Sequence, residues 1–147
     1  MAKKRTKKKP QEFILDCSVT MAWYFKDEAN DYANVVRRSL AKVGAVVPSL
    51  WPLEVANILA IGERCQRSTK AEASKWLSYM QMLPIRIDDE MAARAWSDIL
   101  NVARSHNLSA YDAAYLELAI RLGLPLASLD DKLRTAAASA GVAEYKP

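Results

Sequence analysis

Four short apolar runs punctuate the chain: Phe13-Ile14-Leu15, Ala45-Val46-Val47, Ile85-Arg86-Ile87 and Pro125-Leu126-Ala127-Ser128-Leu129. Each is too short for a helix and reads as a buried strand, the third being the least apolar. Helical spacing fills the intervals. Ser18 can cap a helix through Phe25, and Ala29 to Lys42 puts Tyr32, Val35, Val36 and Leu40 on one face before Gly44 stops it. The stiff segment Pro48-Ser49-Leu50-Trp51-Pro52 leads into a helix to about Arg64 that carries Val55, Ile58, Leu59 and Ile61. Ser68 or Thr69 caps the next, with Trp76, Leu77, Met80 and Met82, and Pro84 ends it. Asp88-Asp89-Glu90 opens a long helix to about Ser105. After the break at Asn107-Leu108-Ser109, a helix runs from Ser109 to Arg121 and stops at Gly123. The last spans Asp131 to Ser139, is closed by Gly141, and leaves Val142 to Tyr145 as a weak edge strand.

Strands that alternate with helices of ten or more residues imply a parallel arrangement, because a parallel pair needs a long crossover. The expected fold is α/β: a three-layer α/β/α sandwich around a central, mainly parallel sheet of four to five strands. With 147 residues the chain suits one domain with one good core. That domain is expected over residues 13–147, behind a basic, disordered tail at 1–12. No apolar run approaches the roughly 18 residues of a membrane span, and no signal-like segment follows the basic start. A cytoplasmic protein with no membrane partner is expected.

The net charge of +4 conceals an asymmetry. Lys3, Lys4, Arg5, Lys7, Lys8 and Lys9 supply six positive charges, so the rest of the chain carries −2. The tail is either a solubilising leader or a sequence-independent tether for RNA phosphates. Cys17 and Cys65 lack metal-ligand spacing and read as reduced thiols, and the single histidine, His106, has no accompanying nucleophile turn. Zinc sites and Ser-His-Asp chemistry have no support.

The chemistry lies in the acids. A helix that follows a strand begins at the sheet's carboxyl edge, and a helix that leads into a parallel strand starts there too. Asp16 and Asp130 end the first and fourth strands; Glu54 opens the helix after the second strand; Asp112 opens the helix leading into the fourth. All four are therefore expected at one edge, where open α/β sheets bind ligands. Two carboxylates 4 Å apart repel by about 4 kcal/mol at an effective dielectric near 20. A strong cation would hold them, and oxygen-only ligands select Mg²⁺ or Mn²⁺. Each acid alone is as readily a helix cap, and Asp88, Asp89, Glu90 and Asp98 are read as no more than helix-end charges.

These motifs together are similar to the PIN-domain endoribonucleases, specifically the VapC-type toxins of type II toxin–antitoxin systems. The resemblance rests on Leu15-Asp16-Cys17-Ser18-Val19 with Trp23 and Glu28 downstream, and on Pro48 through Leu53-Glu54-Val55-Ala56-Asn57. Leu108-Ser109-Ala110-Tyr111-Asp112-Ala113-Ala114-Tyr115 and Leu126-Ala127-Ser128-Leu129-Asp130-Asp131-Lys132-Leu133 complete it. It implies that Asp16, Glu54, Asp112 and Asp130 bind metal and act catalytically, with Ser18, Ser128 and Asn57 in support. Many relatives carry threonine where Ser128 stands. Asp131 competes with Asp130 as the fourth acid. The implied reaction is Mg²⁺- or Mn²⁺-assisted hydrolysis of RNA, with Asp112 or Glu54 taking the water's proton and leaving a 3′-hydroxyl and a 5′-phosphate. The implied partners are RNA, a VapB-like antitoxin and a second copy of the chain. Trp51, Trp76 and Tyr79 are candidates for the antitoxin surface. A non-catalytic nucleic-acid-binding scaffold and a metal-dependent phosphatase remain alternatives.

Overall fold

The computed structural model describes residues 11–147; the candidate tether residues Lys3, Lys4, Arg5, Lys7, Lys8 and Lys9 lie outside them. Four strands, β1 (Phe13–Leu15), β2 (Ala45–Pro48), β3 (Ile85–Asp88) and β4 (Leu126–Ala127), form one sheet in the order β3-β2-β1-β4. Every pairing is parallel. The strand order reverses at β1, since β2 and β3 lie on one side and β4 on the other. The crevice beyond the carboxyl ends of β1 and β4 is thus the switch point of the sheet.

The strands' period of two splits the core into two layers. Ile14, Val46 and Leu126 face α7 (Ala110–Leu122) and α8 (Asp131–Ser139). Phe13, Leu15, Ala45, Val47 and Ala127 face α1 (Cys17–Ala22) and α2 (Asp31–Ser39). All of β1 is fully buried, so burying its three side chains contributes on the order of 2 kcal/mol each. A third cluster joins α1 to the hairpin of α3 (Trp51–Arg64) and α4 (Lys70–Met80) through Cys17, Met21, Phe25, Val55, Leu59 and Ala73. The α/β/α sandwich is as expected.

Several details differ from the sequence expectations, each for a local reason. Ser18 does not cap α1: Asp16 holds the N-cap position without a side-chain bond, and Ser18 lies inside the helix. The helix expected from Ala29 begins at Asp31, because Asn30 accepts from the Ala33 N–H and a separate 3₁₀ turn occupies Lys26–Glu28. The helix after β3 is interrupted: α5 (Met91–Arg94) passes through a π turn at Ala95–Ile99 into α6 (Leu100–His106). Strand β4 is two residues long, and Val142 to Tyr145 supplies one parallel bridge, Leu126 to Glu144, rather than a fifth strand. Tyr145 nonetheless anchors the C-terminus, stacking on Phe13 with ring centroids 3.9 Å apart. Gln11 and Glu12 are tied to the domain as well, through Gln11 Nε2 to the Gly123 carbonyl and Glu12 to Arg86.

Asp88 and Glu90 are not simple helix-end charges. The Arg121 guanidinium donates to Asp88 at 2.8 Å, to Glu90 at 2.6 Å and to Glu117 at 2.9 Å, tying α7 to the end of β3. Arg121 holds the Asp88 carboxyl below its ordinary range. Glu117 is almost fully buried, and removing Arg121 leaves it only the longer pairing with Arg94 at 3.8 Å. Arg121→Met is expected to lower unfolding stability by about 2 kcal/mol in a urea titration. A change under about 0.5 kcal/mol would show that the network contributes nothing.

Candidate active site

Backbone direction brings the four acids to the expected edge, and each arrives by a different route. Asp16 follows β1 directly, with its backbone N–H bonded to the Ala127 carbonyl across the β1–β4 pair at 3.0 Å. Glu54 sits in the first turn of α3, which Pro52 opens. Asp112 sits in the first turn of α7, where the Ser109 side chain caps the helix by accepting from the Asp112 N–H. Asp130 is the N-cap of α8, its Oδ1 accepting from the Leu133 N–H at 2.8 Å.

Asp16 is buried and held rigidly. Ser18 Oγ and Ser128 Oγ both donate to its Oδ2, at 2.6 and 2.8 Å. These serines in turn accept from the Leu129 and Asp130 N–H groups, so the loop after β4 is laced to the start of α1. Two donors on one oxygen fix the plane of the carboxylate. A hydroxyl at positions 18 and 128 can both donate to Asp16 and accept from the backbone, which an apolar side chain there could not do.

The electrostatics follow from crowding. Burial pushes the Asp16 carboxyl up, the two serine hydroxyls pull it back, and Asp130 adds to the rise. Burial brings Glu54 up to about 7, opposed by a hydrogen bond from Tyr115 and reinforced by the charges of Asp16 and Asp112. Asp112 is raised by burial and then by Asp130 and Asp16, with Ser109 and Lys132 opposing. Asp16, Glu54 and Asp112 are thus each raised in part by a neighbouring acid. Among the described residues no lysine or arginine forms an ion pair with Asp16, Glu54, Asp112 or Asp130. Burial also raises the Cys17 thiol, with Glu54 and Asp16 adding, so that side chain is a neutral packing group beside the acids.

The other candidates separate by side-chain direction. Asp131 points away, its side chain 96% exposed and paired with Arg134. Asn57 is exposed one helical turn beyond Glu54. The hydrogen-bond partner of Glu54 is instead Tyr115, whose hydroxyl donates to Oε1 at 2.5 Å. Sequence reasoning assigned Tyr115 no role. Its one available signal was the i, i+3 spacing from Asp112, which puts a polar tip on the acid-bearing face of α7.

The donor chemistry fits a hard divalent cation: carboxylates only, mutually repelling, with no basic side chain paired to them among the described residues. Yet among the described residues no three His, Cys, Asp or Glu side chains stand together as a ready-made cage for one ion. Glu54 is turned to Tyr115, and Asp130 to its own helix N-terminus.

Trp51 and Trp76 line an apolar groove of about 290 Å³ between α3, α4 and β3, together with Leu77, Met80 and Ile87. Trp51 is pinned there, its Nε1 donating to Thr20 Oγ1 at 3.1 Å. Tyr79 is not among the groove's lining residues. Among the described residues no helix is long and apolar enough to cross a membrane.

The chain has relatives among known proteins. The profile of the PIN domain matches residues 13–139. Two Mycobacterium tuberculosis proteins, each named Ribonuclease VapC3, from the CDC 1551 / Oshkosh and H37Rv strains, are 28% identical to the chain over 133 residues. The match covers 89% of this chain and 91% of each relative. Among solved structures, PAE2754 from Pyrobaculum aerophilum superposes with a TM-score of 0.58 at 23% identity, covering 85% of this chain and 84% of that one. FitAcB from Neisseria gonorrhoeae gives a TM-score of 0.60 at 20% identity, covering 92% and 97%.

Proposed function

We propose that this chain, which belongs to the PIN-domain family, hydrolyses RNA phosphodiester bonds with a bound Mg²⁺ or Mn²⁺ and serves as the toxin of a toxin–antitoxin pair. The observation that carries the proposal is the gathering of Asp16, Glu54, Asp112 and Asp130 from four separate elements at the sheet's switch point with no basic side chain paired to them. Acids raised by burial and left without a basic partner, as Asp16, Glu54 and Asp112 are, are expected where a function needs the charge. Likeness to relatives named as ribonucleases supports RNA as the substrate.

When bound, a hard divalent ion supplies charge neutralisation for the phosphate and acidifies water. Asp16, Glu54, Asp112 and Asp130 would hold it, directly or through its waters. Asp16 is the fixed member, because its serine partners prevent it from turning away. Asp112 or Glu54 would take the proton of the attacking water. Tyr115 occupies the Oε1 of Glu54, which leaves Oε2 to face the ion or one of its waters.

Purified protein incubated with structured RNA and Mg²⁺ is expected to cut it, and EDTA to stop the cutting. Intact RNA, or cutting that survives EDTA, would overturn the proposal. Release of phosphate from monoesters without RNA cleavage would favour the phosphatase alternative.

The basic residues Lys3, Lys4, Arg5, Lys7, Lys8 and Lys9 act in this scheme as a tether for RNA phosphates. Removing residues 1–10 is expected to raise KM for RNA several-fold at low salt and to flatten its salt dependence, leaving kcat unchanged. A salt slope identical to that of the full chain would assign the tail no part in RNA binding. The apolar groove lined by Trp51 and Trp76 is the surface offered to the antitoxin, and the toxin would act as a homodimer.

A further inference from the structure

We infer that Tyr115 is a positioning residue for Glu54: its hydroxyl fixes one carboxylate oxygen and so presents the other to the divalent cation. This rests on the reading of the four acids as a metal-dependent site. Tyr115 and Glu54 are 61 residues apart, on α7 and α3, and their hydrogen bond is 2.5 Å long. The tyrosine ring is fully buried in the core cluster beside Ala114, Leu116 and Leu118, so the hydroxyl is aimed by packing rather than by a flexible stem. Asp112 lies one turn earlier on the same helix. One rigid helix therefore delivers an acid to the site directly and a donor to a second acid across the sheet's edge.

A buried tyrosine whose ring needs only an apolar surround would serve equally well as phenylalanine. The hydroxyl instead ends on the half-buried Glu54, and nothing about core packing asks for that bond. A carboxylate on a long side chain at a helix start has several rotamers open to it. Holding one oxygen removes most of that freedom before a ligand arrives, and outer-shell groups of this kind typically change metal affinity by about 10- to 100-fold.

The test is a titration of the full chain with Mn²⁺ in the absence of RNA, read by calorimetry or by the spin-resonance signal of the free ion. Tyr115→Phe is expected to weaken Mn²⁺ binding by about 10-fold or more, while the circular dichroism spectrum stays that of the parent. Glu54→Gln should weaken it comparably, and adding Tyr115→Phe to Glu54→Gln should cost nothing further, because the hydroxyl then has no carboxylate to hold. Should Tyr115→Phe fail to fold, Tyr115→Met fills the same apolar space without a donor, and the same weakening is expected. Parent-like affinity in Tyr115→Phe beside a weakened Glu54→Gln would overturn the role of Tyr115 and leave the metal-dependent site standing. So would a Tyr115→Phe effect that persists undiminished in the Glu54→Gln background, since the tyrosine would then act through packing. A parent chain that binds no Mn²⁺ would overturn the metal-dependent site itself.

Discussion

Asp16→Asn is expected to reduce RNA cleavage by about a thousand-fold while making the ion-free protein more stable. The two effects have one origin. Asp16 is 6% exposed, and its carboxyl is raised by burial and by Asp130, so keeping it ionised at neutral pH works against folding. Asparagine keeps the shape and an oxygen that accepts from Ser18 and Ser128, but it carries no charge to desolvate. A gain of about 1 kcal/mol, or about 3 °C in thermal midpoint, is expected in EDTA. The same substitution removes the most rigidly held anionic ligand at the switch point, and with it the charge that would hold the ion. Melting curves in EDTA and single-turnover cleavage rates check both halves. An Asn variant that cuts RNA at the parental rate would remove Asp16 from the site. One that melts several degrees lower would show that the charge is structural rather than functional.

Without divalent ions, the protein should lose stability as pH rises from 5 to 8, and Mg²⁺ should restore it. A carboxyl whose pKa is higher in the folded chain than in the unfolded one binds its proton more tightly when folded. The stability it contributes is whole below its unfolded value near 4.5 and is lost as pH rises through about 7, the value for Glu54. Asp16 and Asp112 are shifted in the same direction and reinforce the trend. Asp88 is shifted downward by Arg121, and its contribution is lost only on acidification below the ordinary carboxylate range, outside this window. Because Glu54 is half exposed, solvent screening reduces its share, and the total loss between pH 5 and 8 is about 1–2 kcal/mol. Urea titrations at the two pH values, with EDTA or with Mg²⁺, measure it. The Mg²⁺ curve should be nearly flat, because the bound ion takes over from the protons. A protein more stable at pH 8 than at pH 5 in EDTA would mean that the acids do not crowd one another in solution.

The two predictions share a sign that is unusual for a buried polar cluster, in which loss of a member normally destabilises the fold. The Arg121 network in the same molecule behaves in the usual way, since there each acid has its arginine. The contrast between an answered and an unanswered group of carboxylates, both touching α7, is the electrostatic signature of the proposed site.

Much of this was legible in the chain before any coordinates. Strand period, proline and glycine stops and chain direction placed all four strands, the parallel sheet and the carboxyl-edge position of Asp16, Glu54, Asp112 and Asp130. These depend on local geometry and on the rule that a crossover returns to the same edge, both of which are written in sequence order. Where local signals competed, the boundaries moved: Asn30 capped α2 in preference to a start at Ala29, and two residues of the fourth apolar run became the serine-laced loop that holds Asp16.

What only the tertiary structure decided was where the side chains end. Sequence favours Asp130 over Asp131 only because it comes first after the strand; in the fold Asp130 caps α8 close enough to Asp16 and Asp112 to raise them, while Asp131 lies with Arg134 and solvent. Tyr115 reaching Glu54, and Arg121 joining Asp88 to Glu117, depend on which helices pack together across the sheet. Such partners are chosen by shape and desolvation among elements tens of residues apart, and no periodicity along the chain encodes them.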